Sequence, residues 1–420
     1  MHLALPLVLG VLVWRGFREP GHWRGLAQRF GFGPTGQPGA VWIYAASLGE
    51  TRAASPLIRR LRQDGIPVIL THLSPAGLDE GWRLFRADDG ITHRYMPMDL
   101  FWAVRLFLAR AKPVVGIVME IEIWPAMLFE ARRQGIPMIM ANGNLLQESM
   151  HNPGAARRHL LRLYREFAHV FTRTDAYRDR YIALGVTQDR ISVVGEMKYD
   201  QWIDPAQPDL GRALRQRWAG VQRVLMIASS VRDEEALLHG MVANLLTRDP
   251  GLGVLWVPRS PQRFEAVATA CADGPFATLR RSQLGADGSG TIPAGTRVII
   301  GDSLGEMNVF YPMADLVFVG ASLVDHGGHN IMEPMAFGKP VVMGPSIYGI
   351  AFAADPAAQA GAFESLPDAK ALEARIAALL ADPQTLDRMG MAARAFSDAQ
   401  SGAAARTYQG LIPLIARLRH

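Results

Sequence analysis

Short, almost wholly apolar runs alternate with helix-spaced stretches along this chain, and the alternation happens twice. From Val41, the runs VWIYAA, IPVILTHLS, ITHRYMPM, VVGIVMEIEI and IPMIMANGN read as strands, and stretches such as 51–65 and 124–135 carry apolar residues at helical spacing. Strands apolar on both faces that alternate with helices predict a parallel sheet covered on both sides. The rhythm pauses at residues 200–209, DQWIDPAQPD, where prolines and acids read as a linker. It restarts with RVLMIASS, LGVLWVPRS, TRVIIGDS, DLVFVGAS and PVVMGPS. A chain of 420 residues exceeds one ordinary core. The expectation is therefore an α/β protein of two Rossmann-like doubly wound domains, residues 31–200 and 201–420, behind an N-terminal segment of residues 1–30.

With 49% hydrophobic and 20% charged residues the chain is globular rather than disordered. Its one cysteine, Cys271, forms no internal disulfide, which suits a reducing compartment, and reads as a small buried apolar side chain. A formal net charge of +5 favours an anionic partner without choosing among nucleic acid, nucleotide and lipid. The first residues, MHLALPLVLGVLVW, are apolar; Arg15, Arg18, Arg24 and Arg29 follow, interleaved with Phe17, Trp23 and Phe30. This run falls short of the ~20 residues that span a bilayer and lacks the charge and cleavage pattern of a signal peptide. Two readings stand: anchoring in one leaflet by an apolar stub with a basic, aromatic collar, or a buried N-terminal helix. A second basic stretch, AARRHLLRLYREF at 155–167, puts Leu160, Leu161, Tyr164 and Phe167 near one face of a helix.

Ligands of open parallel sheets bind beyond the carboxyl ends of the strands, and the chemically distinctive clusters here fall at such ends. Ser47-Leu48-Gly49-Glu50 follows the first strand where a helix begins; Glu50 there is either a partner of the helix dipole or a functional carboxylate. Glu120 and Glu122 project to one side if the chain stays extended. Two carboxylates on one face raise at least one pKa, and they either bind hydroxyls or an amine, or pair with arginines. Arg259, between prolines in VPRSPQRF, and Lys198, in GEMKYD, are candidate cations for a phosphate or carboxylate, or else partners in surface ion pairs. Residues 301–334, GDSLGEMNVFYPMADLVFVGASLVDHGGHNIMEP, spell a strand, a loop holding Gly327 and Gly328, and a helix start at His329, Asn330 and Glu333. Glycines let backbone approach a ligand and a helix N-terminus attracts anionic oxygens, so a phosphate is expected. There is no Walker lysine loop and no zinc-spaced His/Cys set. GFGPTG at 31–36 precedes the first strand instead of following one, His326 and His329 lack a third ligand nearby, and GDSLG matches the serine-hydrolase elbow at only three fixed positions.

The ordered motifs S-x-G-E, E-x-E-x-W-P, G-x-x-K-x-D, P-R-x-P-x-R-F, G-D-x-x-G-E and G-x-S-L-x-x-x-G-G-H-N-x-x-E-P carry a resemblance. Over more than three-quarters of its length, the chain resembles a divergent member of the Kdo transferases. These are inner-membrane enzymes that move 3-deoxy-D-manno-octulosonic acid (Kdo) from CMP-Kdo to a lipid A precursor in lipopolysaccharide biosynthesis. The resemblance implies a glycosyltransferase B fold, with an acceptor domain and then a CMP-sugar domain facing a central cleft. It implies Glu50 as the general base of an inverting transfer, and Ser47, Gly49, Glu120 and Glu122 on the acceptor side. Lys198, Arg259, Gly305, Glu306, Gly327, Gly328, Asn330 and Glu333 would hold the nucleotide sugar. No cofactor, metal or nucleic acid is implied; the partners are CMP-Kdo, the lipid acceptor and anionic lipids of the cytoplasmic face. The chain departs from the family pattern at Asn144 and Leu146, where N-A-R-L-S has Arg and Ser, at Ser230 and Val231 in place of T-H, at Ser260 in place of His, and at Glu196, where G-N-x-K has Asn. Those departures keep two alternatives open: a paralogous transferase acting on another lipid-linked or free glycan, and a non-catalytic paralogue.

Overall fold

The computed structural model describes residues 23–147, 150, 154–200 and 203–419. Residues 1–22, on which most of the anchoring expectation falls, lie outside them. Seven strands form the first sheet: β1 (Val41–Tyr44), β2 (Val68–His72), β3 (Ile91–Tyr95), β4 (Val115–Met119), β5 (Met138–Gly143), β6 (His169–Thr172) and β7 (Ile191–Val193). Their order is β3-β2-β1-β4-β5-β6-β7 and every pair is parallel, with Val41 level with Val68 on one side and Val115 on the other. Helices cover both faces, which explains the unbroken apolar runs. In β1, Trp42 and Tyr44 enter one core while Val41 and Ile43 enter the other. Each strand expected in this half is present; β6 and β7 were not anticipated.

The second sheet contains β8 (Arg223–Ser230), β9 (Leu252–Pro258), β10 (Thr278–Arg280), β11 (Val298–Ile300), β12 (Leu316–Val319), β13 (Val341–Met343) and β14 (Phe363–Ser365), all parallel, in the order β10-β11-β9-β8-β12-β13-β14. In both sheets the strand order reverses beside the first strand. The carboxyl ends of β1 and β4, and of β8 and β12, are therefore where such sheets hold ligands.

The chain divides into two compact units, Met1–Trp202 with Gln400–His420, and Ile203–Ala399. The C-terminal segment, expected in the second domain, instead closes the first. Ala403, Tyr408, Leu411 and Ile415 of the Ala403–Arg419 helix join the core that holds Leu57, Ile58 and Leu61 of the Leu48–Gln63 helix. Asp200 accepts the backbone N–H groups of Gly402 and Ala404, Arg406 donates to the Val194 carbonyl at 2.8 Å, and the Tyr408 hydroxyl donates to Asp64. The linker expected over residues 200–209 is shorter, because a helix starts at Ala206. The basic stretch 155–167 is a helix to Arg162 and a 3₁₀ turn over Leu163–Glu166; it buries Leu161, Tyr164 and Phe167 but leaves Leu160 exposed.

Candidate active site

Glu50 sits in the first turn of the Leu48–Gln63 helix at the carboxyl end of β1. The Ala46 N–H donates to its Oε2 at 2.8 Å and the Ser47 hydroxyl to its Oε1 at 3.0 Å, while the Glu50 N–H donates to Ser47 Oγ at 3.2 Å. This reciprocal cap fixes the rotamer. Burial, opposed by the Ala46 N–H and reinforced by the charges of Glu120 and Glu122, pushes the Glu50 carboxyl up from 4.5 to about 7. A Cβ added at Gly49 would meet only Ser47 Oγ, at 3.8 Å. The fold leaves that glycine's side open.

The expectation that Glu120 and Glu122 share one face of an extended segment is not met. β4 ends at Met119, and Glu120 adopts a left-handed backbone (φ 63°), which turns the chain. Left-handed residues other than glycine carry strain of order 1–2 kcal/mol and collect at functional sites. Asn142 at the end of β5 is left-handed too (φ 58°), as are Ser229 and Ala321 at the carboxyl ends of β8 and β12. Glu120 Oε1 lies 3.0 Å from Arg173 Nη2 and 3.0 Å from Lys198 Nζ, and Asn144 Nδ2 approaches Oε2 at 3.5 Å. Glu122 instead accepts the Trp124 indole N–H at 2.6 Å. Lys198, a candidate cation for the nucleotide sugar, forms an ion pair with Glu120 in the first unit.

Two further groups at this end of the sheet escaped the sequence reading. The buried Tyr44 hydroxyl is held protonated by desolvation and by the charges of Glu122, Glu50 and Asp99. Asp99, after β3, accepts the Met127 N–H at 3.0 Å, and burial raises it to about 6.

In the second unit, the loop after β12 runs through Gly327 and Gly328, at φ 80° and 78°; a Cβ on the first would come within 2.8 Å of the Tyr348 ring. The expected helix begins later, at Met332–Ala336, and the loop before it is held by its own hydrogen bonds. Asn330 Oδ1 accepts the Met332 N–H at 2.9 Å, Ser346 accepts the Gly327 N–H at 2.9 Å, and the Ala321 carbonyl accepts the Gly328 N–H at 2.8 Å. The Glu333 carboxylate is oriented by Asn330 Nδ2 and the buried Tyr311 hydroxyl, both at 3.1 Å. Arg259, exposed after β9, acts electrostatically on Tyr311 and on His329; with burial as the larger cause, it keeps His329 neutral, its pKa lowered to about 4. The Arg259 charge is thus felt both at His329 and at the Tyr311 hydroxyl that holds Glu333.

Glu306 belongs to a neighbouring cluster: Arg281 Nη2 donates to it at 2.8 Å, Ser303 donates to its other oxygen, and Gly305 turns left-handed before it (φ 80°). Ser303 is thereby a carboxylate partner. The sequence also gave no sign of Glu234. Fully buried at the start of the Arg232–Arg248 helix, it accepts the N–H groups of Val231, Ala321, Ser322 and Leu323 at 2.6–3.3 Å, and so holds the loop after β12 in place.

Two doubly wound parallel sheets with these polar groups at their switch points define a glycosyltransferase of the B fold. Residues 24–201 match the family model described as 3-deoxy-D-manno-octulosonic-acid transferase (kdotransferase), and residues 291–396 match glycosyl transferases group 1. The chain is 36% identical over 421 residues to the 3-deoxy-D-manno-octulosonic acid transferase of Bordetella pertussis, covering 96% of each chain, and 31% identical over 427 residues to that of Haemophilus influenzae, covering 99% of this chain and 97% of the other. Among solved structures, MurG of Acinetobacter baumannii is 16% identical with a TM-score of 0.55, covering 90% of this chain and 100% of that one, which bears on the fold alone. The chain belongs to the Kdo transferase family.

Proposed function

We propose that this protein transfers Kdo from CMP-Kdo to a lipid A precursor, with inversion, and that Glu50 removes the proton from the acceptor hydroxyl. The observation that carries the reading is Glu50 itself: a carboxylate fixed by the Ala46 N–H and Ser47, with its pKa at about 7, suits a base working near neutral pH. As the hydroxyl oxygen attacks the anomeric carbon, its proton passes to Glu50 and the bond to CMP breaks. Charge then grows on the departing phosphate, which the exposed Arg259 guanidinium suits. Glu333, held by Asn330 and Tyr311, offers a fixed carboxylate to ribose hydroxyls, and Gly305, Glu306, Gly327 and Gly328 shape the rest of the nucleotide side. Ser47, Gly49, Glu120 and Glu122 line the acceptor side, and Lys198 serves it through Glu120.

The setting we assign is the cytoplasmic face of the inner membrane. No helix among the described residues is long and apolar enough to cross a bilayer. The support is a set of exposed aromatic side chains: Phe30 stacks on Trp102 at 5.8 Å, Phe101 meets Phe129 edge-on at 5.3 Å, and Trp23, Phe32, Trp102 and Phe129 are exposed. Aromatic side chains with arginines nearby favour a membrane interface. The test is incubation of the full chain with a lipid A precursor and a panel of CMP- and UDP-sugars. Kdo-bearing lipid in the mass spectrum and release of CMP are expected; release of UDP without CMP would refute the reading.

A further inference from the structure

Four consecutive strands each deliver a group to one polar cluster: Glu120 follows β4, Asn142 ends β5, Arg173 follows β6 and Glu196 follows β7. Arg173 is its hub. Its Nη2 lies 3.0 Å from Glu120 Oε1, its Nη1 2.5 Å from Glu196 Oε2, and its Nε donates to the Asn142 carbonyl at 3.2 Å. Glu196 Oε1 also accepts Asn142 Nδ2 at 2.9 Å, which braces the second partner. The side chains of Arg173, Glu120 and Glu196 are only 13%, 16% and 11% exposed, so little solvent screens these pairs.

The cluster links two departures that, read singly, looked like lost or adverse charges. Position 144 lacks the arginine of the N-A-R-L-S pattern, and Asn144 reaches Glu120 only at 3.5 Å. Position 196 carries an extra carboxylate. Arg173 answers both, supplying a cation to Glu120 from the end of β6, one strand beyond β5, while Glu196 anchors it. We propose that Arg173 is a positioning residue of this transferase: it takes the place in space of the cation missing at position 144 and fixes the position of the Glu120 carboxylate, whose charge acts on Glu50. This rests on the reading of Glu50 as the base.

The groups that act on Glu50 are the Ala46 N–H, the Ser47 hydroxyl, Glu120 and Glu122, and Tyr44 lies among the same carboxylates. Of these, Glu120 is neutralised from outside, by Arg173 and by the half-exposed Lys198. Removing Arg173 leaves more of the Glu120 charge directed at Glu50. Neutralising Glu120 has the opposite effect.

The test is the pH profile of kcat/KM with the full chain and CMP-Kdo. In Arg173→Gln the acid limb should move up by about half a pH unit or more, and in Glu120→Gln it should move down. The triple variant Asn144→Arg, Arg173→Gln, Glu196→Asn, which puts the cation back at 144, should return the limb toward its original position and recover turnover. A purely structural arginine would lower activity equally at every pH. An unmoved limb in Arg173→Gln, or failure of the triple variant to recover turnover, would overturn the proposal. If Arg173→Gln does not fold, Glu120→Gln decides alone: a limb that does not move down overturns it. Transfer that survives Glu50→Gln would instead remove the base assignment and leave the origin of the limb elsewhere.

Discussion

Glu50→Gln should cost activity and gain stability at alkaline pH. The native carboxyl titrates at about 7 against an ordinary 4.5, a gap of about 2.5 pH units. Because the folded pKa lies above the unfolded one, the stability it contributes is full below 4.5 and is lost as pH rises through 7. At about 1.4 kcal/mol per unit, the ionised form at pH 8 costs at most about 3.5 kcal/mol, and roughly half that for a carboxylate only partly removed from water. Glutamine keeps an acceptor for the Ala46 N–H, and the Ser47 hydroxyl can turn to accept from the amide. Urea unfolding should therefore show the variant about 1–2 kcal/mol more stable than the parent at pH 8 and nearly equal to it at pH 5. Transfer in the same preparations should fall by about 10²–10⁴-fold, with CMP binding by calorimetry almost unchanged. A variant less stable than the parent at pH 8, or one whose stability difference does not vary with pH, would refute the placement of this carboxyl. Retained turnover would refute its role.

Gly49→Ala should leave the melting temperature within a degree or two, since a Cβ there meets nothing closer than 3.8 Å, yet raise KM for the lipid acceptor if that open side is where the substrate approaches; unaltered kinetics would count against it. Glu234→Ala should remove about 3 kcal/mol or more, because the buried N–H groups of Ala321, Ser322 and Leu323 lose their acceptor, and chemical denaturation with CMP-binding calorimetry would read both effects. Burial pushes His72 down to about 3, with His93 adding to it, and pushes His93 down to about 4. Their stabilising contribution is present above 6.5 and is lost as pH falls. Each should cost about 2 kcal/mol by pH 5. A double His→Gln variant that folds should show a flatter stability profile between pH 7 and 5 in thermal melts; an unchanged slope would place the acid sensitivity elsewhere.

Much of this protein is legible in local order alone. Unbroken apolar runs such as VWIYAA and VVGIVM mean strands buried on both faces, because a sheet covered on one side alone would show alternation. The serine cap followed by Glu50, and the loop with Gly327 and Gly328, are likewise spelled in adjacent residues, since a cap or a tight loop is a matter of a few neighbouring dihedrals. The short strands β6, β7, β10 and β14 escape because three or four residues carry too little periodicity to separate strand from loop. The remainder depends on what meets through space. The C-terminal helix matches the apolar face of a helix some 350 residues earlier. Glu120 turns left-handed where it meets Arg173 and Lys198. Lys198 pairs with Glu120 in the first unit, and Arg173 after β6 reaches the same carboxylate after β4. The sequence by itself determined the parallel α/β architecture, the family and the place of Glu50 at the start of its helix. Only the tertiary structure decided which cation faces which carboxylate and which carboxyl is forced toward neutral pH, because burial and Coulomb interaction depend on distance in space and not on separation along the chain.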